Sequence, residues 1–189
     1  MRFARDLGIY IDADLVMRIH VQRTVSRCFA VLRQLRQIRH SVPTDTFQTL
    51  VVSLVLTRLD YGNSVLAGLP VYLVRRLQSV MNAAARLIYH LRRSDHISDA
   101  LACIDWLRVP ERIEFKIALL TYKVVHGPRN GIAPGYLGPF TCVADLPSRR
   151  SLRSVGTNRL VVPPSRLSTV GGRAFAVGGP QIWNDLLED

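Results

Sequence analysis

Two aspartates one residue apart, Asp12 and Asp14 in the stretch Leu7-Gly8-Ile9-Tyr10-Ile11-Asp12-Ala13-Asp14-Leu15, are the first residues whose types and spacing could do chemistry. Two-metal phosphoryl transfer needs carboxylates on adjacent rigid elements, so that two divalent ions about 3.5 to 4 Å apart clamp the reacting phosphate. A simpler role is physically sufficient here. Aspartate at the start of a helix accepts hydrogen bonds from its free amides and favours the positive end of its dipole. The residues favour capping over catalysis.

The other candidates reduce in the same way. Arg58-Leu59-Asp60-Tyr61-Gly62 places a single aspartate beside an aromatic, but after an apolar helix rather than between two hydrophobic strands. It reads as a helix C-terminus closed by Gly62. No G-x-S-x-G elbow is present. Val170-Gly171-Gly172-Arg173 and Val177-Gly178-Gly179-Pro180 lack the spacing and the following Lys-Ser/Thr of a phosphate loop, so both read as turns. Cys28, Cys103 and Cys142 stand far apart, and the five histidines show no zinc-ligand spacing. The sequence therefore assigns no catalytic residue and no metal ligand.

Cations remain. The 189 residues carry 25 Lys and Arg against 14 Asp and Glu, a formal net charge of +11. Only Lys116 and Lys123 are lysines, so the other 23 basic residues are arginine. Guanidinium forks bind phosphate through paired hydrogen bonds and stack on bases, which makes nucleic acid the first expected partner and an acidic protein or membrane surface the second. No small-molecule substrate is implied. The uncharged run from Thr46 to Thr57 is short of the roughly 20 residues that cross a bilayer, and the N-terminus lacks an apolar signal core. An intracellular protein, nuclear or cytoplasmic, without membrane contact is expected, in keeping with the few cysteines.

Helices must position these cations. Val21, Val25, Cys28, Phe29, Leu32 and Leu35 share one face of a helix ending near Arg39, with Arg23, Arg27 and Arg33 opposite. A second helix, from about Phe47 to Leu59, is apolar nearly all round and should be buried. Pro70 opens a third, with a continuous stripe through Leu73, Leu77, Val80, Met81, Ala84, Leu87, Ile88 and Leu91. A short helix around Ile97 to Cys103 precedes one from Pro110 to Gly127. This last helix carries Ile113, Ile117, Leu120 and Val124 on one side and Phe115, Ala118 and Tyr122 on the other, which suggests a central place in the core.

Beyond Gly127 no helical period survives until Gln181 to Leu186, so loops and short strands are expected at pieces such as Leu160 to Val162 and Ala174 to Val177. Residues 146–184 hold six arginines and no acid, a segment suited to lying on a polyanion. Two basic strips stand out on the helices. Arg75, Gln78, Asn82, Arg86 and Tyr89 fall opposite the third helix's stripe. Arg112, Lys116 and Lys123 project within about 40° of one another at standard helical rotation. Such faces can track a phosphate backbone and stack on a base.

Leu59-Asp60-Tyr61-Gly62-Asn63-Ser64, then Leu66-Ala67-Gly68-Leu69-Pro70 and Leu77-Gln78-Ser79-Val80-Met81-Asn82-Ala83-Ala84-Ala85-Arg86-Leu87-Ile88, resemble the region after the polymerase core in non-LTR (LINE-type, Jockey-related) retrotransposon reverse transcriptases. The resemblance continues through Trp106-Leu107-Arg108-Val109-Pro110, Arg112-Ile113, Phe115-Lys116, Tyr122-Lys123, Ala133-Pro134, Tyr136-Leu137 and Ile182-Trp183-Asn184-Asp185-Leu186, nearly the whole chain in order. It implies that Leu7-Gly8-Ile9 belongs to the primer-grip strand ending the palm, with thumb and connector helices after it. It implies RNA template and DNA primer or target as partners, together with upstream polymerase segments. The family's aromatic-Ala-Asp-Asp catalytic turn does not occur here, and the complete enzyme's Mg would be held outside this chain. Met1 then reads as an internal methionine or a gene-model start.

The expectation is a mainly α protein: a thumb-like helical bundle with a short N-terminal strand and an irregular, partly β C-terminal segment. Its divisions are 1–14 (strand and turn), 15–127 (bundle) and 128–189 (a Gly/Pro/Arg-rich, truncated segment). The chain is expected to bind the backbone of template and primer without polymerising DNA by itself. Arg23, Arg27, Arg75, Arg86, Arg112, Lys116 and Lys123 are the expected contacts. The alternative is a stand-alone helical protein-interaction module or an inert retrotransposon remnant.

Overall fold

The computed structural model describes residues 3–127, 134–146 and 158–186. The protein is mainly α, with a short antiparallel hairpin at its start. It divides into two compact units, Met1–Arg112 and Ile113–Asp189.

In the first unit, strands β1 (Phe3–Asp6) and β2 (Ile9–Asp12) pair antiparallel, with Phe3 opposite Asp12 and Asp6 opposite Ile9. Leu7 and Gly8, both at positive φ, make the connecting turn. The expected lone strand is therefore one arm of a hairpin. Left-handed backbone at Leu7-Gly8 matches the twist of two paired strands, so each strand finds its ladder partner in the other.

Asp12 ends β2 and caps the next helix. Its carboxylate accepts from the amides of Arg18 (2.6 Å) and Ile19 (3.3 Å), while Asp14 Oδ1 accepts from Val16 N at 3.2 Å. Both aspartates occupy the strand-to-helix junction, and Asp12 satisfies donors at the start of α1 (Arg18–Ile38). Val21, Val25, Cys28, Leu32 and Leu35 are its buried face.

A continuous helical stretch follows in three pieces: α2 (Thr44–Val51), a π turn over Val52–Leu56, and α3 (Thr57–Asp60). The Thr57 amide reaches back to the Val52 carbonyl, the i→i+5 bond of a widened turn. The apolar spacing explains it. Phe47, Val51, Val55 and Leu59 are buried and recur every four residues, which in an ideal α-helix would drift by about 40° per step. A wider turn takes up the drift and keeps all four on one side. The opposite side is uncovered: Val52 is 37% and Leu54 39% exposed, so the expectation of a helix buried all round is corrected.

The helix stops at Asp60. Gly62 follows at φ 65°, a left-handed conformation that favours glycine, and a Cβ there would lie 2.6 Å from Ile9 Cδ1 and make that side-chain tip shift. The α4 helix (Val71–Tyr89) then buries Leu73, Leu77, Val80, Met81, Ala84, Ala85 and Ile88, and packs against α1. The α5 helix (Ser98–Cys103) leads to buried Trp106. The α6 helix (Val109–His126) contains the boundary between the units, and its first turn is capped by Glu111, which accepts from Arg108 N at 2.8 Å.

In the second unit, α6 buries Ile113, Ile117, Thr121 and Val124, whereas Phe115 is 60% and Tyr122 51% exposed. The expectation that both faces of this helix enter a core is corrected: one stripe suffices for its burial. The short α7 (Ser168–Gly171) and the first half of the longer α8 (Phe175–Asp185) occupy a region expected to be loops and strands, while the helical period expected from Gln181 to Leu186 falls in the second half of α8. Among the described residues the only β feature here is one antiparallel bridge, Cys142 to Leu160. Gly178-Gly179-Pro180 lies inside α8 rather than in a turn. A Cβ on Gly179 would stand 2.9 Å from Thr121 Oγ1 and 3.3 Å from the Phe140 and Phe175 rings, so close packing selects residues that helix propensity disfavours. Arg149, Arg150, Arg153 and Ala133 lie outside the described residues.

Candidate nucleic-acid interface

The hairpin, α1 and the end of α3 together gather arginines around aromatic rings. Arg23 lies with its guanidinium 4.2 Å from the Tyr10 ring centre and 5.2 Å from that of Phe3, and Arg5 lies 5.6 Å from Tyr10. The hydrogen bond from Arg23 chiefly draws the Tyr10 phenol below its ordinary range, helped by the positive charge of Arg5 and by Arg27, against the effect of burial. Three cations thus converge on one buried ring at the hairpin's face toward α1.

Arg27 is common to two adjacent clefts. One, of about 540 Å³, is lined also by Phe3, Gln22, Arg23 and Ser26. The other, of about 500 Å³, is lined by Gly8, His20, Thr24, Arg58 and Tyr61. Among the described residues no carboxylate lines either cleft. Asp12 is turned inward onto the α1 amides, and Asp60 is engaged by Arg112. Arg23, Arg27 and Arg58 therefore present donors at the cleft walls, beside the aromatic faces of Phe3 and Tyr61. Such an arrangement can hold phosphate oxygens and stack on a base.

Contacts between the hairpin, α1 and the end of α3 underlie the clefts. The Tyr61 hydroxyl donates to the Leu7 carbonyl, tying the hairpin turn to the end of α3. His20 is buried, and its Nδ1 accepts from Tyr10 N at 3.5 Å. Burial first, and then the Arg27 charge, push the imidazole below its usual pKa, with Asp12 opposing them.

The other expected contacts are dispersed. Arg75 is exposed on α4. Gln78 does not face outward: its Oε1 accepts from Val109 N at 2.8 Å and its Nε2 donates to Asn82 Oδ1 at 2.8 Å, which joins α4 to the start of α6. Arg86 turns into a separate cavity lined by α1 and α4. Arg112 forms a two-pronged ion pair with Asp60, with Nε 2.9 Å from Oδ1 and Nη2 on Oδ2. Lys116 is exposed and Lys123 half-buried in the second unit. Nearby, Tyr122 stacks on His126 with ring centres 4.2 Å apart, and Trp183 lies 6.3 Å from each. The α4 strip is thus broken by internal hydrogen bonds, and Arg112 is engaged with a carboxylate.

Sequence reasoning missed Arg5, Arg58 and Arg39. Arg5 sits on a strand whose hairpin partner was not foreseen, and Arg58 on a helix read as wholly buried. Arg39 is 6% exposed and donates to the carbonyls of Leu87 (3.2 Å), Ile88 (2.8 Å) and Val42 (3.2 Å) and to Thr44 Oγ1 (3.1 Å). Its guanidinium also lies 4.8 Å from the Phe47 ring centre. A cation on the last carbonyls of α4 suits the negative end of that helix's dipole, so this arginine is structural.

Comparison of the chain with protein-family models, curated proteins and solved structures yields no match.

Proposed function

We propose that the chain is a non-catalytic C-terminal piece of a retrotransposon RNA-directed DNA polymerase, and that it holds the sugar-phosphate backbone of template and primer. Its partners are then an RNA template, a DNA primer or target, and the polymerase segments upstream. The observation that carries the reading is Arg27 at the junction of two acid-free clefts, with Arg23 on one wall and Arg58 on the other. Backbone contacts of this kind position a duplex without reading its sequence. Among the described residues no group of three His, Cys, Asp or Glu side chains gathers. No step through Mg is assigned to this chain.

The test is fluorescence anisotropy with an RNA–DNA hybrid across a salt series. Replacing Arg23, Arg27 and Arg58 by Ala should weaken binding and flatten its salt dependence by about 0.9 in log–log slope for each phosphate no longer neutralised. Unchanged affinity and slope would reject the assignment. A protein-interaction module is the second reading, favoured by Val71 (64% exposed) and Tyr72 (48%) at the start of α4. It predicts no salt-sensitive binding to any nucleic acid.

A further inference from the structure

A cavity of about 610 Å³ lies between α1 and α4, separate from the hairpin clefts. Its apolar lining comes from Phe29 and Leu32 of α1 and from Ala83, Leu87 and Leu91 on the α4 side. Cations surround that lining: Arg33 and Arg36 from α1, Arg86 from α4, and Arg93 beyond it. His40 and His90 add two rings with centres 6.1 Å apart. Among the described residues no carboxylate lines the cavity.

Arg86 supplies an independent pointer. Its Nε is buried and meets no acceptor. A charged donor withdrawn from water and left unpaired is costly, and an oxygen entering the cavity would remove that cost. Among the described residues no hydrogen bond or ion pair engages Arg33, Arg36 or Arg93. The carbonyl end of α4 would ordinarily turn negative potential toward this place, but Arg39 covers the Leu87 and Ile88 carbonyls. The local field is left positive.

The volume falls within the roughly 300 to 1,000 Å³ of small-molecule sites, larger than an inorganic anion alone needs. An apolar floor with aromatic rings accepts a planar heterocycle, and guanidinium forks accept phosphate oxygens. We infer that this cavity binds one nucleotide unit, its base on Phe29 and Leu32 and its phosphate between Arg86, Arg36 and Arg93. The site does not depend on the hairpin clefts binding a duplex. The nucleotide is either free or the 5′-phosphorylated end of a strand.

Calorimetric titration of the full chain with adenosine monophosphate, adenosine, inorganic phosphate and a short 5′-phosphorylated single strand tests it. The monophosphate should bind about tenfold or more tightly than either adenosine or phosphate alone, since each lacks one half of the contacts. Arg36→Ala with Arg93→Ala, two exposed positions, should weaken the monophosphate by about tenfold or more at unchanged melting temperature. Ala83→Trp, which fills the cavity and keeps every cation, should abolish binding. Arg23→Ala with Arg27→Ala should leave it unchanged, which separates this site from the proposed duplex surface. A strand end that outbinds the monophosphate and competes with it identifies the strand as source; the reverse order identifies the free nucleotide. Equal binding of inorganic phosphate and monophosphate by the wild-type chain, or binding that survives both cavity variants, overturns the inference.

Discussion

Three arginines show how one residue type is put to different uses. Arg39 is enclosed and directs its donors at backbone carbonyls and a hydroxyl. Arg112 is committed to Asp60. Arg23 lies over aromatic rings with its outer edge exposed. Arg39→Ala removes four hydrogen bonds and a cation over Phe47, and leaves the Leu87 and Ile88 carbonyls without their partner. It should lower unfolding free energy by about 3 kcal/mol, read from urea denaturation. The cysteines separate by the same logic. Burial raises the Cys28 thiol to about 11, and its Sγ lies 3.9 Å from the Val55 carbonyl, whereas Cys103 is exposed. A thiolate-directed reagent at neutral pH should modify Cys103 rapidly and Cys28 only on unfolding. Peptide mapping after timed labelling gives the comparison, and equal rates would contradict the packing described.

At the scale of elements, the long helices were legible because their apolar residues recur at helical spacing: α1, α4, α5 and α6 lie within a few residues of where the sequence places them. Asp12 was legible too, because an acceptor at a helix start has a local cause. The hairpin was not, since Leu7-Gly8 offers a left-handed turn without the Asn-Gly or Asp-Gly pair that announces one. Nor was the first half of α8: the sequence shows a helical period only from Gln181, and before it tertiary packing around Gly179 overrides local propensity. The site was legible only in part: helical rotation gives the face on which Arg23 and Arg27 stand, but whether Arg112 or Gln78 has a partner depends on residues 52 and 31 positions away. The junction of β2 with α1 carries its own prediction. His20 has a depressed pKa in the folded state, so below about pH 6.5 the unfolded chain binds more protons than the folded one. Stability is full above that pH and falls as pH drops from it toward the folded value. Urea midpoints at pH 7.5 and 5.5 should differ for the wild type and differ less for His20→Gln.

For the whole molecule, a net charge of +11 makes attraction to any polyanion unsurprising, so specificity of place is the sharper question. Arg112→Ala removes the same formal charge as Arg23→Ala. Because Arg112 serves Asp60, its loss should reduce stability by about 1 kcal/mol while leaving the salt slope of hybrid binding unchanged. Arg23→Ala should alter the slope. A slope that follows total charge alone, equal in both variants, would place binding everywhere rather than at the hairpin. Among the described residues no helix is long and apolar enough to cross a membrane. The segment 59–62 is where the first unit is tied together: Leu59 is buried, Asp60 holds Arg112, Tyr61 holds Leu7 and Gly62 backs onto Ile9. That junction stays aligned with Phe47 and Val51 because the π turn at Val52–Leu56 holds one residue more than an ordinary α turn. The turn is accordingly a length reservoir. Deleting a single codon there closes it to α geometry and keeps the junction in phase, while the same deletion in α4 swings every later side chain by about 100°. Natural insertions and deletions in this region should therefore accumulate at 52–56 and spare 71–89.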